Sequence, residues 1–181
     1  MLIPRAKIEE FCRKNSIEGI ADFLASILVN SQTFLSFLES SGTTIISNPP
    51  VSILFHGSQK DPDYLGSSFS INQANTKREE SLVYATDNPN YTIFLAIIDL
   101  VERGHASVLV EDGKTSLSVD RGFVNGGSQI KDGYVHVVDG AGFKPSDNDE
   151  YVSSQPARIL FSIKVRPSDL TEKIWIKTDK P

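Results

Sequence analysis

Three short segments of this 181-residue chain hold side chains able to do chemistry. The first, Leu54-Phe55-His56-Gly57-Ser58, closes an apolar run with an imidazole and a glycine. The second, Leu82-Val83-Tyr84-Ala85-Thr86-Asp87-Asn88, carries a tyrosine toward a helical stretch that contains Tyr91 and Phe94. The third, Asp149-Glu150-Tyr151-Val152-Ser153, opens a strand on a carboxylate after a polar loop. His56 and Tyr84 are 28 residues apart, and Tyr84 and Glu150 are 66 apart, so they meet only through the fold. Brought together, an imidazole, an aromatic face and a carboxylate could orient a ligand and stabilise charge on it. Each also has a plain structural reading. His56-Gly57 fits a strand-to-turn junction, Tyr84 fits a core tyrosine, and Glu150 fits one more solvated acid after Asp147-Asn148-Asp149.

Other chemistries lack their residues. There is no G-x-S-x-G nucleophile elbow, no G-x-x-x-x-G-K-[ST] phosphate loop and no H-E-x-x-H zinc helix. His56, His105 and His136 are too scattered for a local metal signature, and the one cysteine, Cys12, excludes a four-cysteine zinc site. No metal is therefore expected. Gly140-Ala141-Gly142 reads as a hairpin turn, since the strand-to-helix context of a dinucleotide fingerprint is missing. Phe55, rather than the arginine of a phosphohistidine enzyme, precedes His56.

Taken in order, the three segments resemble the ADP-ribosyltransferases of the diphtheria-toxin and poly(ADP-ribose) polymerase type. That family carries histidine in an H-G-[ST] strand end, tyrosine in a strand leading into a helix, and glutamate opening a later strand as E-Y-[IV]. The matches here are His56-Gly57-Ser58, Tyr84, and Glu150-Tyr151-Val152, over roughly residues 51–165. The resemblance implies an α+β fold with a mostly antiparallel, split β-sheet core. It also implies NAD as substrate, with ADP-ribose transferred to an acceptor or to water. Breaking the nicotinamide–ribose bond builds positive charge on the ribose, as in glycoside cleavage, and a nearby carboxylate stabilises it. By the resemblance, Glu150 takes that role, and His56 holds the adenosine-side ribose. Gly57 and Ser58 complete the NAD-binding strand end, and Tyr84 with Tyr91 or Phe94 clamps the nicotinamide ring. Gly57, lacking a Cβ, would let the carboxamide approach the backbone closely.

The resemblance has gaps. The segments over the site are short, the second aromatic is not at the family's usual offset after Tyr84, and no serine stands ready near residues 88–92 for the carboxamide. A second expectation therefore stands beside the first: a catalytically inactive nucleotide- or protein-binding module on the same fold. An RNA 2′-phosphotransferase would want basic residues converging on phosphate, and the net charge of −5 speaks against it.

Elements must position these residues. Residues 1–48 read as a helical cap: Ile8, Phe11 and Cys12 have helical spacing, as do Ile20, Phe23, Leu24, Ile27 and Leu28, then Phe34, Leu35 and Leu38. Ser16 and Ser31 are the expected N-caps, and Gly42 the residue after the last helix. Residues 49–181 read as the β-rich body, with strands over 51–56 and 82–86 and a helix over 91–101 capped by Asp87. Further strands are expected over 105–110, 114–119, 133–138, 150–153, 158–165 and 173–177. A long loop over 58–81 holds a short strand near Phe69 and ends in the charged patch Lys77-Arg78-Glu79-Glu80. Asp112-Gly113 signals a tight hairpin. Phe143 should plug the core beneath the loop to Glu150, and Trp175 should lie on an edge strand, facing away from Ile174 and Ile176.

Composition sets the outer bounds. With 39% hydrophobic and 23% charged residues the chain is globular rather than disordered. Eighteen basic against 23 acidic residues make an extended nucleic-acid surface unexpected. No apolar run reaches the ~20 residues that cross a bilayer. The N-terminal residues lack the order of a cleavable signal peptide, so no membrane partner and a cytoplasmic location are expected. An exported effector without a cleaved signal would read the same way.

Overall fold

A computed structural model describes residues 1–43, 50, 52–61, 65, 82–99, 106–111, 114–146 and 150–177. The apolar spacing of the first forty residues yields α1 (Arg5–Lys14), α2 (Gly19–Val29) and α3 (Ser31–Ser40). Two of the expected caps are displaced. Ser16 sits in the turn with φ 55°, and Asn30 rather than Ser31 caps α3, accepting from the amides of Gln32 and Thr33. Asparagine can do this because its carbonyl reaches back to the exposed amides of the first turn. Gly42, at φ 70°, follows α3 as the left-handed residue.

These helices pack directly on the β-rich body. Before α1 the chain lays down β1 (Leu2–Ile3), which joins the body's main sheet. Phe11, Phe23 and Phe37 pack edge to face, and Phe37 and Phe34 both meet Phe161 of the sheet. One continuous core runs through both parts. The Arg5 guanidinium also grips the buried Asp169 carboxylate at 2.6 and 2.7 Å, which raises the Arg5 pKa still further.

The body is α+β. In order it contains β2 (Ile53–Ser58), β3 (Val83–Thr86), α4 (Pro89–Ile97), β4 (Ile98–Asp99), β5 (Ala106–Glu111), β6 (Lys114–Asp120) and a short α5 (Arg121–Asn125). There follow β7 (Gln129–Ile130), β8 (Gly133–Asp139), β9 (Lys144–Pro145), β10 (Glu150–Ser153), β11 (Ile159–Val165) and β12 (Ile174–Lys177). The main sheet has the order β1-β11-β8-β2-β3-β10-β9; β12-β6-β5 and β4-β7 are separate small sheets. β1 on β11 and β12 on β6 run parallel, and the remaining described pairs are antiparallel. The helix expected over 91–101 starts earlier and ends at Ile97, capped by the Asn88 side chain rather than Asp87 and with Pro89 in its first turn. The turn at Asp112-Gly113, most of the 58–81 loop with Phe69 and its charged patch, His105, and Asp147-Asn148-Asp149 lie outside the described residues.

Helix α4 lies unusually close to the sheet. A Cβ on Gly57 would sit 2.7 Å from the Ala96 nitrogen, and one on Gly133 would sit 2.6 Å from the Ala96 carbonyl carbon. Two adjacent strands, β2 and β8, thus give up side chains where the helix backbone rests, and Gln59 donates to the Ala96 carbonyl at the same place. Gly133→Ala should therefore cost about 1–3 kcal/mol through overpacking. Chemical denaturation checks this; a midpoint unchanged from wild type would contradict the contact.

Candidate functional site

Three adjacent strands carry the candidate residues. β3 lies between β2 and β10, with Phe55 opposite Thr86 and Thr86 opposite Glu150. Side chains alternate across a sheet, so residues in one cross-strand row share a face. Phe55, Thr86 and Glu150 therefore face α4, as do Tyr84 and its partner Val152. His56, one residue on from Phe55, faces the other way.

On the α4 side, the Tyr91 hydroxyl donates to Glu150 Oε1. Asn88 makes this possible, because its cap at the Tyr91 amide fixes the first turn of the helix above the start of β10. Burial pushes the Glu150 carboxyl above its usual range, and the Tyr91 bond pulls partly the other way by favouring the anion. The same burial, with the neighbouring carboxylate, raises the Tyr91 phenol and keeps it protonated as a donor. Tyr84 is half-buried two residues along β3 on this face.

The opposite face belongs to histidines. His56 and His136 face each other across β2 and β8, their rings stacked 6.1 Å apart at 27°. The His56 Nδ1 lies 2.7 Å from the Tyr84 carbonyl oxygen. A carbonyl only accepts, so Nδ1 carries the proton and Nε2 keeps a lone pair. β2 and β3 share only the Phe55–Thr86 pair among the described residues, and the imidazole satisfies the Tyr84 carbonyl beyond it. His136 is fully buried and has the opposite tautomer: Nε2–H donates to the Lys60 carbonyl at 3.0 Å, and Nδ1 accepts from Ser162 Oγ at 2.8 Å. Burial lowers the pKa of both rings. For His136, burial together with the neighbouring His56 brings it down to about 4, outweighing Asp61 3.9 Å away.

Two expected ligand contacts take other roles. Phe94 has no exposed surface and belongs to the core, so of the Tyr91/Phe94 pair only Tyr91 reaches the site. At Gly57 the side where a Cβ would stand is filled by α4 rather than open to a carboxamide, so helix packing is what requires the glycine. Ser58 ends β2, and its hydroxyl accepts from the Lys60 amide at 3.0 Å.

Open space lies at the end of β3 and β10. One cleft of about 270 Å³ is lined by Asp87, Pro145, Ser146, Glu150 and Tyr151. A second, of about 310 Å³, adjoins it through Asp87 and Tyr151 and extends to Leu54 and Phe143. The Tyr151 hydroxyl donates to Asp87 Oδ2 at 3.0 Å. Asp87 stood in the sequence only as a helix cap. Its place before a Pro-led helix and beside the start of an E-Y strand becomes informative once the strand order is known.

Two outcomes follow from these environments. Tyr91→Phe removes the bond that favours the Glu150 anion, so the Glu150 pKa should rise further, read from its carboxyl carbon by NMR across pH; an unchanged titration would contradict the pairing. For His136 the folded pKa lies below the ordinary 6.5, so the unfolded chain binds more protons between those values. Stability contributed by the neutral ring is complete above pH 6.5 and is lost as pH falls toward about 4, up to about 3 kcal/mol. Denaturant melts at stepped pH should show that fall, and a His136→Gln chain should show a shallower one.

No protein-family model matches the chain, and neither does any curated protein or solved structure.

Proposed function

We propose that the chain is an ADP-ribosyltransferase-like protein that cleaves the nicotinamide–ribose bond of NAD and passes ADP-ribose to an acceptor or to water. The observation that carries this reading is the strand order β2-β3-β10, with the Glu150 carboxyl held half-buried by Tyr91 at the end of the row. In the reaction, the bond from ribose C1′ to the pyridinium nitrogen breaks and its electron pair leaves with nicotinamide, which becomes neutral. The ribose carbon gains positive charge, and Glu150 faces it from a partly desolvated position, where a carboxylate acts more strongly than in water. A nucleophilic oxygen or nitrogen then bonds to C1′ and releases its proton to solvent.

The other residues position the substrate. His56, with its proton fixed at Nδ1 by the Tyr84 carbonyl, offers Nε2 as an acceptor for a ribose hydroxyl. Tyr84 supplies an aromatic surface on the Glu150 face, and Tyr91 acts through Glu150 rather than on the ligand. No membrane or nucleic-acid partner enters this scheme.

One observation favours the second reading, a nucleotide- or protein-binding module without catalysis. The His56 imidazole and the Glu150 carboxyl leave opposite faces of the sheet, so a ligand touching both must pass around the sheet end. NAD consumption separates the two readings. Under the enzymatic one, Glu150→Gln lowers turnover by about 10²–10³-fold, the usual loss of a charge-stabilising group. Equal rates in wild type and variant would remove Glu150 from the mechanism, and NAD binding without turnover would establish the module.

A further inference from the structure

Asp87 stands where the two clefts at the end of β3 and β10 join. Its Oδ2 accepts from Tyr151, while Oδ1 has no partner among the described residues. The larger cleft sets this carboxylate against the rings of Phe143 and Tyr151 and the aliphatic wall of Leu28, Ile53 and Leu54. The smaller adds a second carboxylate, Glu150. Among the described residues no lysine or arginine lines either space. A pyrophosphate would meet two acids there and no cation among the described residues, so the space suits a cationic group better than a phosphate.

We propose that the cleft beside Asp87 binds a guanidinium side chain presented by an acceptor protein. A carboxylate with one free oxygen accepts a guanidinium N–H, an aromatic wall suits a flat, weakly hydrated cation, and the aliphatic wall suits its methylene stem. The adjoining cleft leads from this point to Glu150, so a side chain seated at Asp87 lies next to the carboxylate assigned to the ribose. The acceptor role rests on the reading of Glu150 above; the binding itself does not.

The experiment titrates isotope-labelled protein with N-acetyl-arginine amide and, separately, with N-acetyl-citrulline amide, which has the same shape without the charge. Amide resonances of Asp87, Phe143 and Tyr151 should move with arginine, and citrulline should bind about tenfold more weakly, the usual effect of losing a charged hydrogen-bond partner. Asp87→Asn should abolish that preference while the chain melts at its usual temperature; if the variant unfolds, the comparison on the native chain decides alone. Equal affinity for the two probes overturns the site, as do shifts confined to other regions or a preference that survives in Asp87→Asn. Displacement of arginine by the N-methylnicotinamide cation at equal affinity assigns the space to the pyridinium end of NAD and likewise overturns it. NAD is absent from this titration. Arginine binding without NAD turnover would keep the site and discard the role of Glu150, whereas turnover without arginine binding would discard only the site.

Discussion

The close seating of α4 on the sheet governs the geometry of everything near Glu150. Helix and sheet can approach this closely only because Gly57 and Gly133 leave room for the helix backbone. With α4 lowered onto β2 and β8, its first turn comes over the start of β10, and Tyr91 meets a carboxylate 59 residues further along the chain. Ala96, at the contact itself, is fully buried, and Ile93, Phe94 and Ile97 anchor the rest of the helix in the core. A larger separation would withdraw the phenol and leave a half-buried carboxyl with burial acting on it alone. Its pKa would then move further toward the neutral acid.

The period of two along each strand divides the chemistry between faces. Thr86, paired on both sides, places Phe55 and Glu150 on the helix face, and the same alternation sends His56 to the other. There it meets His136, whose hydrogen bonds run to Lys60 and Ser162. The two faces communicate at the seam between β2 and β3, where the His56 ring bonds the backbone of the tyrosine strand. They also meet at the sheet end, where Asp87 and Tyr151 border both clefts. Any ligand touching both imidazole and carboxyl passes around that sheet end.

Much of this was legible in the sequence because it is local. Helical spacing marked α1 to α3, alternation marked β5 and β6, and Pro89 marked the first turn of α4. What the sequence hid was which group takes a role that several could fill. Asn88 and Asp87 are both good caps, and only the backbone path decides that Asn88 reaches the Tyr91 amide. Gly57 looked like room for a ligand, whereas the room is taken by a helix from later in the chain. Tyr91 and Phe94 sit about one helical turn apart, yet the phenylalanine enters the core and the tyrosine meets the carboxylate. Pairing of β1 with β11 joins residues 160 apart, which no local pattern encodes.

The half-buried His56 and the fully buried His136 show how the sheet manages polarity without charge. Each donates to a backbone carbonyl, His56 through Nδ1 and His136 through Nε2, so the neighbouring rings are held as different tautomers. Ser162 supplies the hydroxyl that lets the second nitrogen of His136 accept, and no buried side-chain polar atom among the described residues is left without a partner. Protonating either ring would place a cation 6.1 Å from its neighbour in a desolvated layer, and burial already opposes that charge on both. The acids, by contrast, gather at the solvent-accessible sheet end, where Tyr91 and Tyr151 each donate to one of them. Polarity within the sheet is thus carried by neutral rings, and the carboxylates Asp87 and Glu150 stand at its rim, where each is held by a tyrosine hydroxyl.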